Sequence, residues 1–198
     1  ACHLSYLGDC DIGNNTNILD LFYKDRQRWS YTFQMNTFMT RIHKIQRNHK
    51  KLSFIERSIY TDKNCFASMC HKDNSINMIE WKLYNNWFNW LENSFDVKPS
   101  GFIYLYSDPK ICFKRIEKRS RTEESSIPLE YLTDLHNYHE NWLNTCKYPV
   151  LKLDVNSEFE NDPSKMKEHF YKINSFLKEL QVDKYMIDNT KYLNSPYI

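Results

Sequence analysis

A carboxylate and a guanidinium stand side by side at Glu56-Arg57, directly after the apolar run Leu52-Ser-Phe-Ile55, and a second acid, Asp62, follows shortly after. Open α/β sheets present ligand-binding residues at the carboxyl ends of their strands. A charged pair there is costly to bury and points to phosphate chemistry. A second concentration of charge holds Arg115, Arg119 and Arg121 with Lys114 and Lys118, followed at once by Glu123 and Glu124. Arginines suit planar, multidentate capture of phosphate oxygens, and phosphoryl transfer works mainly by positioning and charge neutralisation. The same residues also describe a basic helix C-terminus, where each cation contributes about 0.3–1 kcal/mol, running into a self-neutralising surface loop. Residue types alone leave both readings open. Gln34 and Arg41 are two helical turns apart and project from nearly the same face as Phe38; taken alone, such a polar pair reads as solvent-exposed. No Gly-x-x-x-x-Gly-Lys-Ser/Thr loop occurs anywhere in the chain.

The elements that must position these residues follow from periodicity. Residues 1–16 are turn-rich and read as irregular. A short helical turn is expected at Ile18–Tyr23, then a polar break, then a helix over Arg28–Gln46. Leu52–Ile55 reads as a buried strand. Asn77-x-x-Glu80 is an N-cap signal for a helix over Met78–Phe95, with Ile79, Leu83, Trp87, Leu91 and Phe95 as its stripe. Trp81, Tyr84, Phe88 and Trp90 widen the apolar arc, so this helix is expected to be covered on a second side by another subunit. Gly101–Tyr106 is the second strand. Pro109 then opens a helix, Pro128 another, Val150–Val155 is the third strand, and a last helix covers Lys165–Leu180. Strands alternating with helices imply a parallel α/β sheet, though three strands are few.

Composition excludes several classes. The 198 residues are 41% hydrophobic and 16% aromatic, enough for one folded domain with a real core. A net charge of +2 offers no basic field for nucleic acid. No window approaches the roughly 20 apolar residues that span a bilayer. Six cysteines show no C-x-x-C pair and no zinc-ligand spacing; Cys65, Cys70 and Cys112 read as buried thiols in a reducing, cytoplasmic compartment.

In order, these pieces resemble the deoxynucleoside kinase family, nearest its deoxycytidine/deoxyguanosine kinase branch. The resemblance runs over residues 17–180. It rests on Phe22-Tyr-Lys-Asp-Arg-Gln-Arg-Trp-Ser-Tyr-Thr-Phe-Gln34, Glu56-Arg-Ser-Ile-Tyr-Thr-Asp62 with Phe66, and Glu80-Trp. It continues through Arg115-Ile-Glu-Lys-Arg-Ser-Arg-Thr-Glu-Glu124, Ile127-Pro-Leu-Glu-Tyr-Leu132 and Leu153-Asp-Val-Asn156. The resemblance implies a P-loop kinase-like three-layer fold with a parallel sheet and 5′-phosphorylation of deoxynucleosides by ATP and Mg²⁺, in nucleotide salvage. It implies that Gln34 pairs with the nucleobase edge while Arg41 and Asp62 read its remaining polar groups. Phe66 would stack on the base, and Tyr23 and Glu124 would hold the sugar 3′-hydroxyl. Arg57 would contact the 5′-oxygen, and Glu56 would help organise Mg²⁺ and the phosphates. Arg115, Arg119 and Arg121 would form a lid over the ATP phosphates, with Asn156, Glu158 and Phe159 near the adenine. The implied partner is a second copy, met through the Met78–Phe95 and Arg28–Gln46 helices.

Two features of that family fall before residue 1: the first strand with its glycine-rich phosphate loop and lysine, and the glutamate that serves as general base. The chain as written is therefore expected to be an inactive fragment of an active kinase, with residues 181–198 as a tail. The alternatives are a non-catalytic nucleoside-binding or dimerising pseudokinase, and a plain α/β interaction domain whose charged loop is only surface.

Overall fold

The computed structural model describes residues 17–47, 52–120 and 127–181. The expectations for residues 1–16 and for the tail beyond residue 181, like those for Arg121 and Glu124, lie outside the described residues.

Two helices open the structure, α1 (Ile18–Lys24) and α2 (Arg26–Gln46), and the break between them is a single residue. Asp25 closes α1 and caps α2, its side chain accepting from the Arg28 N–H at 3.0 Å, which satisfies an otherwise orphaned helix donor. Ile18, Leu19 and Phe22 of α1 pack with Phe33 of α2 and Tyr84 in one cluster. Phe38 and Ile42, further along α2, join a second cluster with Ile59, Tyr60, Phe88 and Leu91.

The strand expected at Leu52–Ile55 does not form. A strand needs a neighbouring strand, and among the described residues this segment joins no sheet; Phe54 is left 59% exposed. It is followed by an almost continuous helical run: α3 (Ile59–Thr61), a π-helical turn (Asp62–Ala67) and α4 (Ser68–Lys72). Ser58 starts it, its hydroxyl accepting from the Thr61 N–H at 3.2 Å.

Helix α5 (Met78–Ser94) has the anticipated cap. Asn77 Oδ1 accepts from the N–H groups of Ile79 and Glu80 at 2.9 and 3.0 Å, and Glu80 Oε2 accepts from the Asn77 N–H at 2.9 Å. The stripe divides, however, with Leu91 inward and its first three members outward. Tyr84, Phe88 and Leu91 face the core, whereas Ile79, Leu83 and Trp87 are exposed, Trp87 at 48%. With two apolar faces, periodicity alone cannot say which turns inward.

Strands β1 (Phe102–Tyr106) and β2 (Val150–Asp154) pair in parallel, Phe102 opposite Val150 and Tyr106 opposite Asp154. The sheet of the described residues thus has two strands, not three. Between them run α6 (Pro109–Arg119) and α7 (Leu129–Asn144), and α8 (Pro163–Glu179) follows β2. Alternation sends Phe102, Tyr104 and Tyr106 to one face, where Trp142, His139 and His136 of α7 meet them. Gly101 has no room for a side chain: a Cβ there would stand 2.9 Å from Phe176 Cζ and 3.1 Å from the Pro149 carbonyl oxygen. The result is an α/β fold with a parallel sheet, mostly helical, and no helix of the described residues is long and apolar enough to cross a membrane.

Candidate functional site

Gln34, Thr37 and Arg41 share one face of α2 through the three- and four-residue spacings that stack helix side chains. The π-helical turn brings Asp62 against that face. Arg41 Nε donates to Asp62 Oδ2 at 2.6 Å and Nη2 to Oδ1 at 3.1 Å, a two-pronged pair with Asp62 only 1% exposed. A third bond, from Arg41 Nη1 to the Glu56 carbonyl at 2.8 Å, ties the irregular 52–58 segment to the helix. Buried pairs of this kind contribute little net stability, but removing one partner strands a charge and costs about 3–5 kcal/mol.

Gln34 is 2% exposed, which overturns the solvent-exposed reading of its helix face. Its Nε2 donates to the buried Cys70 Sγ at 3.9 Å. Cys70 also accepts from Arg26 Nη2 at 3.8 Å, and Arg26 is paired with Asp73 at 2.6 Å. Burial alone would lower the pKa of Arg26, but Cys70 and Asp73 more than compensate and raise it.

Gln34, Thr37, Asp62 and Cys70 line a small hollow of about 30 Å³, together with Tyr23 and Phe66. Arg57 and Phe66 belong also to the wall of a larger cleft of about 500 Å³, which runs from Glu56 along β1 to Ser107 and Cys112. Only the larger lies within the range of about 300–1,000 Å³ usual for small-molecule sites. Arg57 and Phe66 line both cavities, with the guanidinium 4.7 Å from the ring centroid. Arg57 has a positive φ of 63°, a region disfavoured for side chains with a Cβ; strain of this kind gathers at ligand sites. Phe66 touches His139 edge to face, ring centroids 6.3 Å apart. Burial pushes the His139 pKa down, a bond to the Leu135 carbonyl partly opposes this, and the charge of Arg57 adds to the depression.

At the carboxyl ends of the strands a second group assembles. Asn156 Oδ1 accepts from the Asp108 N–H at 2.7 Å, joining the ends of β1 and β2. Arg115 donates to the Ser107 hydroxyl at 3.4 Å and the Asn156 carbonyl at 3.3 Å, and its Nε stands 3.6 Å from Glu158 Oε1. Arg119 is the last residue of α6, one turn beyond Arg115. Phe159 packs on His169 of α8 at 5.3 Å, a few residues along from Asn156. Glu56 is exposed, and among the described residues no three His, Cys, Asp or Glu side chains gather as a metal site. A single carboxylate suits Mg²⁺, which binds through one or two carboxylates plus substrate phosphates.

The structure thus brings Tyr23, Gln34, Arg41, Asp62 and Phe66 into one neighbourhood with Arg57, and Arg115 with Asn156 and Glu158 into another. Sequence reasoning missed Cys70, Arg26 and Asp73. Cys70 lies 36 residues from Gln34, and nothing local to it signals the contact.

The deoxynucleoside kinase family model matches residues 8–178. The chain is 38% identical over 181 residues to deoxycytidine kinase 2 of Gallus gallus, covering 81% of this chain and 68% of that protein. It is 37% identical over 175 residues to a probable deoxycytidine kinase of fowlpox virus, covering 84% and 74%. It is 36% identical over 185 residues to the mitochondrial deoxyguanosine kinase of Xenopus laevis, covering 83% and 69%. With that match spanning both neighbourhoods, the chain belongs to the deoxynucleoside kinase family.

Proposed function

We propose that the kinase of which this chain forms the nucleoside-binding part phosphorylates the 5′-hydroxyl of deoxynucleosides of the deoxycytidine/purine type, with ATP as donor, in nucleotide salvage. One observation carries the reading: a buried amide, Gln34, beside the buried Arg41–Asp62 pair, with aromatic rings of Tyr23 and Phe66 on the same hollow. A side-chain amide makes paired donor and acceptor bonds to a base edge. Sites built on buried polar groups reject analogues that leave those groups unmet, by factors of about 10⁴.

On this reading Gln34 pairs with the base, Arg41 and Asp62 complete its polar contacts, and Phe66 stacks on it. Tyr23 and Glu124 hold the 3′-hydroxyl, and Arg57 contacts the 5′-oxygen. Arg115, Arg119 and Arg121 neutralise the donor's phosphates, and Asn156, Glu158 and Phe159 border its adenine. Glu56 would help organise Mg²⁺ with the phosphates, and the metal would supply further neutralisation of developing charge. Titration calorimetry with deoxycytidine and deoxyguanosine tests the pocket: absence of binding to both overturns the reading. Turnover with ATP and Mg²⁺ then separates a kinase from a nucleoside-binding relative that only binds.

The outward face of α5, with Ile79, Leu83, Trp87 and Trp90, and Met39 of α2 are exposed apolar surface suited to a second copy of the chain. Sedimentation equilibrium is expected to give a dimer, and Leu83→Ser with Trp87→Ser a monomer of unchanged nucleoside affinity.

A further inference from the structure

We propose that Thr37 is a further specificity-determining residue: its hydroxyl hydrogen-bonds a polar exocyclic group of the bound base, between Gln34 and the Arg41–Asp62 pair. This deepens the deoxynucleoside reading of the pocket and rests on it. Thr37 Oγ1 is buried and has no hydrogen-bond partner among the described residues. Three other threonines of these helices behave differently. Thr40 donates to the Asn36 carbonyl at 2.9 Å, Thr133 to Leu129 at 2.9 Å and Thr145 to Asn141 at 3.1 Å, each bonding back to its own helix. The Thr37 hydroxyl forgoes that bond, and its side chain lines the small hollow with Gln34 and Asp62.

A buried hydroxyl left unmet is unfavourable, and a ligand that meets it recovers the deficit on binding. Other buried side-chain atoms lack partners too, but Ser30 and Tyr84 are not among the residues lining the hollow. Arg26 Nε does share its wall, yet that guanidinium is already engaged by Asp73. Each Asp62 oxygen already accepts one bond from Arg41 and has acceptor capacity left for the base. A hydroxyl donates and accepts, so Thr37 can serve an amino or a carbonyl substituent, and it gains nothing from a methyl group at that edge.

The test is deoxycytidine titration calorimetry on the wild-type chain, Thr37→Val, Thr37→Ser and Gln34→Ala, with a thermal melt of each. Thr37→Val keeps the shape and removes the hydroxyl; it is expected to bind about tenfold more weakly, equivalent to about 1.4 kcal/mol. It is also expected to melt no lower than the wild type, since the empty protein loses no bond. Thr37→Ser is expected to retain binding within about twofold. If Thr37→Val binds like the wild type while Gln34→Ala loses binding, the role of Thr37 is overturned and the pocket stands. The proposal is equally overturned if Thr37→Val melts well below the wild type, because the hydroxyl then serves the fold. If the wild type binds neither deoxycytidine nor deoxyguanosine, the pocket reading falls and the proposal with it.

Discussion

On the proposed reading the site has a base end and a phosphate end, and the two are built on opposite principles. At the base end, Gln34 and Asp62 are almost wholly buried, and Arg41 is held by three hydrogen bonds to two separate segments. At the phosphate end, Arg115 makes three contacts of 3.3–3.6 Å, one of them to a carboxylate whose side chain is 69% exposed. Selecting a base needs polar groups fixed in a place water cannot reach, because only there is an unmet hydrogen bond expensive. Receiving a highly charged, hydrated phosphate chain needs cations that can exchange weak partners for better ones, which buried pairs cannot do. One end encodes choice by rigidity, and the other keeps its charge available.

The contrast can be broken most severely at the base end. Asp62→Ala is expected to destabilise the protein by about 3–5 kcal/mol in urea denaturation, since it strands Arg41. Adding Arg41→Met should restore most of that loss and, in an otherwise complete enzyme, shift relative turnover from deoxycytidine toward thymidine. Equal destabilisation of the single and double variants, or an unchanged substrate ratio, would contradict a buried pair that reads the base.

At the other end, Arg115→Ala is expected to cost no more than about 1 kcal/mol of stability and to leave deoxycytidine affinity as it is. The KM for ATP should rise instead, by roughly tenfold for a lost charge-assisted contact. A deoxycytidine affinity that fell in step would mean the two ends are not separable.

The smallest effect sits where they meet, at His139. Its pKa is depressed in the folded state, so the unfolded chain takes up a proton first as the solution is acidified. The neutral imidazole's contribution is therefore intact above about pH 6.5 and is lost as pH falls through the lower folded value. Melting temperatures followed from pH 8 to 5 should decline less steeply for His139→Gln than for the wild type.

Much of the scaffold could be read from local chemistry. Asn77 and Glu80 announce their capping box, Asp108-Pro109 a helix start, and the runs at 102–106 and 150–154 their strands, because each signal is complete within a few residues. What depends on a distant partner could not be read. Leu52–Ile55 has strand-like letters but no neighbour to pair with among the described residues. The outward turn of Ile79 and Trp87 is decided by what the opposite face packs on. The candidate site residues Gln34, Arg41, Asp62 and Phe66 are legible through family resemblance; the helix face of Gln34 and Arg41 alone suggests exposure, and only tertiary packing buries Gln34 against Cys70.

The π-helical turn over Asp62–Ala67 carries one further consequence. In it Asp62 reaches α2 while Phe66 reaches Arg57 and His139. Removing a single codon from this span would close the wide i→i+5 turn to a regular i→i+4 one. Both residues would survive in the gene, yet the widened turn from which they reach different neighbours would be gone. Here the number of residues is as much a part of the recognition code as their identity, and a deletion should be more harmful than most replacements nearby.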